Sequence, residues 1–138
     1  MSARTKARKR AIDAIFAADL RKESPSVLLE ATRNQVADRQ NQDEIFGYAA
    51  QIVEGVVENH AEIDELLETY SEGWTIDRMP NVDRAILRVG IWEILYSDTP
   101  NAVVVNEAVE LAKDYSTDES GGFINGLLSR VAGTRQAL

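Results

Sequence analysis

VDRAILRVGIWEIL, residues 82–95, carries apolar side chains almost all round a helix between Ile86 and Leu95. A helix with no polar face has to be surrounded by other elements, so this segment is expected to be the central one. Working outward, Ser71 to Pro80 is a polar interruption before it, and Asp98 to Asn101, with Pro100, is a break after it. Beyond the break, Val105, Ala108, Val109 and Ala112 restart the helical period, with Val104, Leu111 and Tyr115 alongside. Ser116 to Gly122 reads as a polar loop, from which Ser120 or an earlier Asp or Thr caps a last helix holding Phe123, Ile124, Leu127, Leu128 and Val131.

Toward the N-terminus, Ile63, Leu66, Leu67 and Tyr70 form one stripe, and Ile45, Ala49, Ile52, Val53 and Val56 another, widened by Phe46 and Val57. Ser24-Pro25 has the chemistry of a helix start, serine as N-cap and proline at the first helical position. Ile12, Ile15, Phe16 and Leu20 complete the series, and a polar stretch, Asp38 to Asp43, separates the second helix from the third. No run alternates with the period of two that a half-buried strand requires. The expectation is an all-α protein of about seven helices, joined by short connections and divided near residues 38–43 and 71–81 into two helical sub-bundles of a single domain.

The chain has 138 residues, 44% of them hydrophobic, which suits one self-supporting domain spanning 1–138. It contains no cysteine and one histidine, His60. Disulfides, thiolate metal sites, cysteine nucleophiles and paired imidazoles are therefore excluded. No apolar run approaches the roughly 20 residues needed to cross a bilayer, and no apolar core follows the basic N-terminus as in a secretory signal. The helical period runs directly from that terminus into the body, which argues against a transit peptide, and a cytoplasmic location is expected.

The net charge of −8 argues, as a total, against nucleic acid. Its distribution argues otherwise. Residues 1–10 carry Arg4, Lys6, Arg8, Lys9 and Arg10 and no acid; residues 1–22 have a net charge of +5 and the remainder −13. A basic arm suits a polyanion, while the acidic body suits a basic partner. Arg4 and Arg8 fall on the same helical stripe as Ile12 and Ile15. Because arginine is seldom buried, the core is expected to stop short of the first turns, leaving residues 1–10 as an arm that projects or is disordered. The cations also oppose the helix dipole, which favours anions at an N-terminus, and a polyanion would relieve that cost. Phe16 could stack on a base at the helix edge; core packing is the competing reading of the same side chain.

Catalytic chemistry finds little support. His60 lies at a helix junction beside Asn59 and near Glu58, Glu62 and Asp64, an arrangement that an acidic helical surface produces without any metal. Gly121-Gly122 lacks the lysine and preceding strand of a phosphate loop. Acid pairs such as Asp118/Glu119 show no environment that would separate their pKa values. Asn106, Asn125 and Gly126 stand out as polar or small positions in apolar context, and Gly126 is read as permitting a close helix approach or a bend.

Three ordered segments, VDRAILRVGIWEIL (82–95), VNEAVELAK (105–113) and FINGLL (123–128), together with the basic start running into AIF (14–16), resemble the NusB family of bacterial transcription antitermination factors. The resemblance covers essentially the whole chain and is strongest over 74–128. It implies an all-α fold of two small helical bundles, no catalysed reaction and no cofactor or metal. It also implies binding to single-stranded boxA-type RNA of nascent rRNA transcripts together with the small-subunit ribosomal protein NusE, within an RNA polymerase antitermination complex that suppresses premature termination. Carried onto matching positions, it assigns RNA contact to Arg4, Lys6 and Arg8, with Lys9 and Arg10 adjacent and Phe16 following. A second RNA-contacting segment matches Glu119, Ser120 and Phe123. The partner-protein face matches Tyr70, Asp77 and Asp83. Two positions depart from the family pattern: Thr5 interrupts the arginine run, and Glu119 stands where an aspartate is usual.

Two other readings fit the sequence. The chain resembles the NusB-like domain that precedes the catalytic domain of rRNA cytosine methyltransferases, and it also has the character of a protein-binding helical module without RNA. Monomer and homodimer remain equally open, since an apolar face for a second copy reads like a core face.

Overall fold

The computed structural model describes residues 2–36, 42–72, 74–115 and 118–136, with backbone alone at 118, 135 and 136. Among the described residues there are seven α-helices and no strand: α1 (Ala3–Arg21), α2 (Pro25–Gln35), α3 (Asp43–Glu58), α4 (His60–Tyr70), α5 (Asn81–Tyr96), α6 (Asn101–Tyr115) and α7 (Asp118–Gln136). A 3-10 turn, Ile76–Arg78, lies between α4 and α5. The chain divides into two compact units, residues 1–58 and 59–138. Most of the polar stretch between α2 and α3, along with Gly73, Ser116 and Thr117, falls outside the described residues.

In the first unit α1 packs on α3 and α2 closes against both. Ala7, Ala11, Ala14 and Ala18 share the buried side of α1 with Ile12 and Ile15, and Ile45, Phe46, Ala49, Ile52, Val53 and Val56 face them from α3. Four alanines on one stripe let the backbones approach closely, and the large side chains of α3 fill the space they leave. Ser2 caps α1, its hydroxyl accepting from the Thr5 N–H at 3.1 Å. Lys22 ends the helix in the left-handed region, φ 56°, with its N–H on the Ala18 carbonyl. Pro25 occupies the first turn of α2, as expected from Ser24-Pro25.

In the second unit α5 is central, packing against α4, α6 and α7. Ten of its residues, from Asp83 to Ile94, are buried, so the all-round apolar pattern of 82–95 has its expected consequence. The α5–α7 approach depends on Gly90: a Cβ there would lie 2.8 Å from Leu128 Cδ1, closer than carbon atoms sit. Gly126, read from sequence as permitting a close helix approach or a bend, is not where another helix comes close. The nearest atom to a Cβ at 126 is Nη1 of Arg130, 3.2 Å away on the same helix.

Two further expectations change. The segment 118–122, expected as loop, is the first turn of α7 and contains Gly121-Gly122 and Ser120. Val105 and Val109 are only half-buried, because α6 turns Val104, Ala108, Leu111 and Ala112 inward instead.

Candidate functional site

The basic segment does not project from the core. Residues from Ala3 onward are helical, and burial reaches back to Ala7, which is fully enclosed. Arg8, at 4% exposure, is itself buried. The expectation of a free arm assumed that arginine repels a core. Its methylene stem packs readily when the head finds partners, and Arg8 is not without them. Lys6 and Arg4 are exposed, and Lys9 and Arg10 half-buried. The cluster therefore presents its charge through four side chains on an ordered helix.

Two of these cations rest on aromatic rings of α3. The Arg4 guanidinium carbon lies 3.8 Å from the centroid of Tyr48, and that of Arg10 lies 5.3 Å from the centroid of Phe46. Both fall within the reach of a cation–π contact. Tyr48 was not singled out from the sequence; its only local signal is an aromatic two residues beyond Phe46. Phe16 is half-buried on α1.

The remaining candidates all lie in the second unit: Asp83 in the first turn of α5, Glu119, Ser120 and Phe123 in the first turns of α7, Asp77 in the 3-10 turn and Tyr70 at the end of α4. Asp83 and Ser120, assigned from the resemblance to different partners, bond to each other. The Ser120 hydroxyl donates to Asp83 Oδ2 at 2.8 Å, and both residues are buried, Asp83 at 2% exposure. The local sequence explains why the carboxylate turns across to α7. Asp83 is the third residue of α5, where an acid ordinarily reaches back to the N-cap N–H. The N-cap is Pro80, which has no N–H to give. Oδ1 of Asp83 has no hydrogen-bond partner among the described residues.

Phe123 is half-buried beneath Trp74, ring centroids 5.5 Å apart and planes tilted by 33°. Trp74 is 48% exposed. It was missed in the sequence, where a lone tryptophan in a polar interruption is the available signal. The Ser71 hydroxyl donates to the Trp74 carbonyl and fixes the backbone there. Tyr70 shares a hydroxyl–hydroxyl bond of 2.8 Å with Thr134, and its carbonyl accepts from Arg130 Nη2 at 2.7 Å. Arg130 also pairs with Glu72 at 3.4 Å. Asp77 is exposed in the 3-10 turn, and Glu119 is exposed on α7. Of the second-unit candidates, Asp77 and Glu119 are exposed, Phe123 pairs with exposed Trp74, Tyr70 bonds to α7 through Thr134 and Arg130, and buried Asp83 and Ser120 bond to each other between α5 and α7.

His60 is exposed at the start of α4. Among the described residues no three metal-ligating side chains come together, and no helix is long and apolar enough to cross a membrane.

The NusB family model matches residues 5–133. The transcription antitermination protein NusB of Clavibacter sepedonicus is 53% identical over 133 residues, covering 96% of this chain and 97% of its own. That of Arthrobacter sp. (strain FB24) is 53% identical over 140 residues, covering 100% and 98%. Among solved structures, T. maritima NusB superposes with a TM-score of 0.86 at 32% identity, covering 96% of this chain and 92% of that one. The crystal structure of antitermination factors NusB and NusE in complex with dsRNA superposes with a TM-score of 0.83 at 28% identity, covering 97% and 98%. With a family model spanning nearly the whole chain and relatives of half-identical sequence and matching length, this protein belongs to the NusB family.

Proposed function

We propose that this protein is a transcription antitermination factor, with residues 1–138 acting as one RNA-binding domain that engages boxA-type RNA of nascent rRNA transcripts together with ribosomal protein NusE. The observation that carries the reading is the array Arg4, Lys6, Lys9 and Arg10 on the first turns of α1, in a segment whose first turn has no acid to neutralise it. Phosphate contacts by such cations supply most nucleic-acid affinity. Arg8 supports the array from within, and Phe16 flanks it. The factor works by binding within the polymerase antitermination complex in the cytoplasm, without catalysis or cofactor.

In the second unit, exposed Asp77 and half-buried Tyr70 suit a basic protein such as NusE, whose approach the acidic body accelerates. Phe123 and Glu119 form the second RNA-facing segment, with Ser120 fixing its backbone through Asp83. The 53% identity to relatives named as transcription antitermination proteins favours the factor over a methyltransferase domain.

The test is fluorescence anisotropy with labelled boxA-type RNA against a scrambled RNA, each single- and double-stranded, with and without NusE. Preference for the boxA-type RNA, increased by NusE, is expected. Equal affinity for the two sequences would sink the reading.

A further inference from the structure

We propose that Tyr48 is a positioning residue for RNA: its ring holds the Arg4 guanidinium against α3, so that the side turned away from the ring, and all its N–H donors, meet a nucleotide. This rests on the RNA-binding reading above and adds to it a residue on a different helix.

The geometry separates two ways of restraining an arginine. A carboxylate partner neutralises the charge and occupies the donors, and the pair must break before a phosphate can bind. An aromatic ring does neither. It attracts the cation through its quadrupole and leaves the five N–H groups free. Arg4 is restrained in the second way: it lies 3.8 Å from the Tyr48 centroid, and no carboxylate pairs with it among the described residues. Tyr48 is 8% exposed, so the ring is fixed in the core, while Arg4 remains exposed.

Two gains follow for RNA. Long side chains lose rotamer freedom on binding, and an arginine already held over a ring has less left to lose. The outward side of a guanidinium is also a platform on which an unstacked base can lie. Arg10 over Phe46, 5.3 Å from that ring's centroid, repeats the arrangement on the same pair of helices, at looser range.

The experiment measures affinity for a short fluorescein-labelled single-stranded boxA-type RNA, with NusE present and salt fixed. It compares the natural protein with Tyr48→Phe, Tyr48→Leu, Arg4→Ala and the double variant Arg4→Ala/Tyr48→Leu, alongside the thermal unfolding of each. Tyr48→Leu is expected to weaken binding about two- to fivefold, the worth of an exposed cation–π contact. Tyr48→Phe is expected to stay near the natural affinity. The double variant should bind no more weakly than Arg4→Ala alone, because the ring acts only through the arginine. If Tyr48→Leu fails to fold, pentafluorophenylalanine at position 48 replaces it; that ring keeps the size of phenylalanine but not its attraction for cations, and is expected to bind more weakly than Tyr48→Phe. Additive losses in the double variant, or equal binding by the two phenylalanine rings, would overturn the assignment of Tyr48 alone. Absence of any RNA preference in the natural protein would overturn the RNA reading and this proposal together.

Discussion

Replacing Ser120 by alanine tests whether Asp83 is a structural residue of the α5–α7 junction. In the native protein the Ser120 hydroxyl is the donor at 2.8 Å to Asp83 Oδ2, and Oδ1 has no hydrogen-bond partner among the described residues. Pro80 has no N–H to donate in its place. At 2% exposure the carboxylate has little access to water. Ser120→Ala therefore removes a hydrogen bond to a charged acceptor and leaves that acceptor buried, a loss of about 2 kcal/mol within the usual 1.5–3 range. For a chain of 138 residues this corresponds to a fall of roughly 6–10 °C in Tm. Differential scanning calorimetry and urea unfolding both read it. The double variant Asp83→Leu/Ser120→Ala removes the polar pair together, leaves no stranded acceptor, and should recover most of the loss. A Tm for Ser120→Ala within about 1 °C of the natural protein, or a double variant less stable than the single one, would refute the reasoning and return Asp83 to the list of partner contacts.

Arg8→Ala and Lys6→Ala should separate stability from RNA affinity. The first is expected to lower stability by about 1–3 kcal/mol with no change in the salt slope of RNA binding; the second should leave stability within about 0.5 kcal/mol and reduce the slope by about 0.7. Gly126→Ala should change stability by less than about 1 kcal/mol, because the gain in helix propensity is opposed by the 3.2 Å approach of its Cβ to Arg130 Nη1, which Glu72 and the Tyr70 carbonyl help to hold. Gly90→Ala should destabilise by about 1–3 kcal/mol in urea unfolding, since its Cβ would lie 2.8 Å from Leu128 Cδ1 in the core. Trp74→Ala should cost about 0.5–1.5 kcal/mol from the lost pairing with Phe123; the remaining fluorescence, from buried Trp92, should peak at shorter wavelength than that of the natural protein.

Much of this protein was legible in its sequence because the controlling forces are local. Helical period, Pro25 and Pro100 as punctuation, and the all-round apolar character of 82–95 depend on residues a few positions apart, and the seven helices follow. The concentration of cations before residue 11 is likewise a property of the chain alone. What periodicity does not convey is which element stands opposite a given face. Arg8 was placed outside the core because arginine is seldom buried, although it shares a stripe with Ile12 and Ile15; its burial is set by the helices that pack on α1. Tyr48 and Trp74 were passed over because each matters through a side chain distant in sequence, Arg4 and Phe123. Asp83 and Ser120, 37 residues apart, were assigned to separate surfaces, and only the crossing of α5 and α7 makes them a pair.

By itself, then, the sequence determined the helices, their order, the absence of cysteine chemistry and the separation of a basic N-terminus from an acidic body, all of them consequences of composition and short-range spacing. The tertiary structure decided which charges reach solvent: Arg4 and Lys6 do, whereas Arg8 and Asp83 do not. The physical reason is that desolvation and pairing are set by whichever atoms the fold brings alongside, and in an all-helical chain those atoms come from other helices.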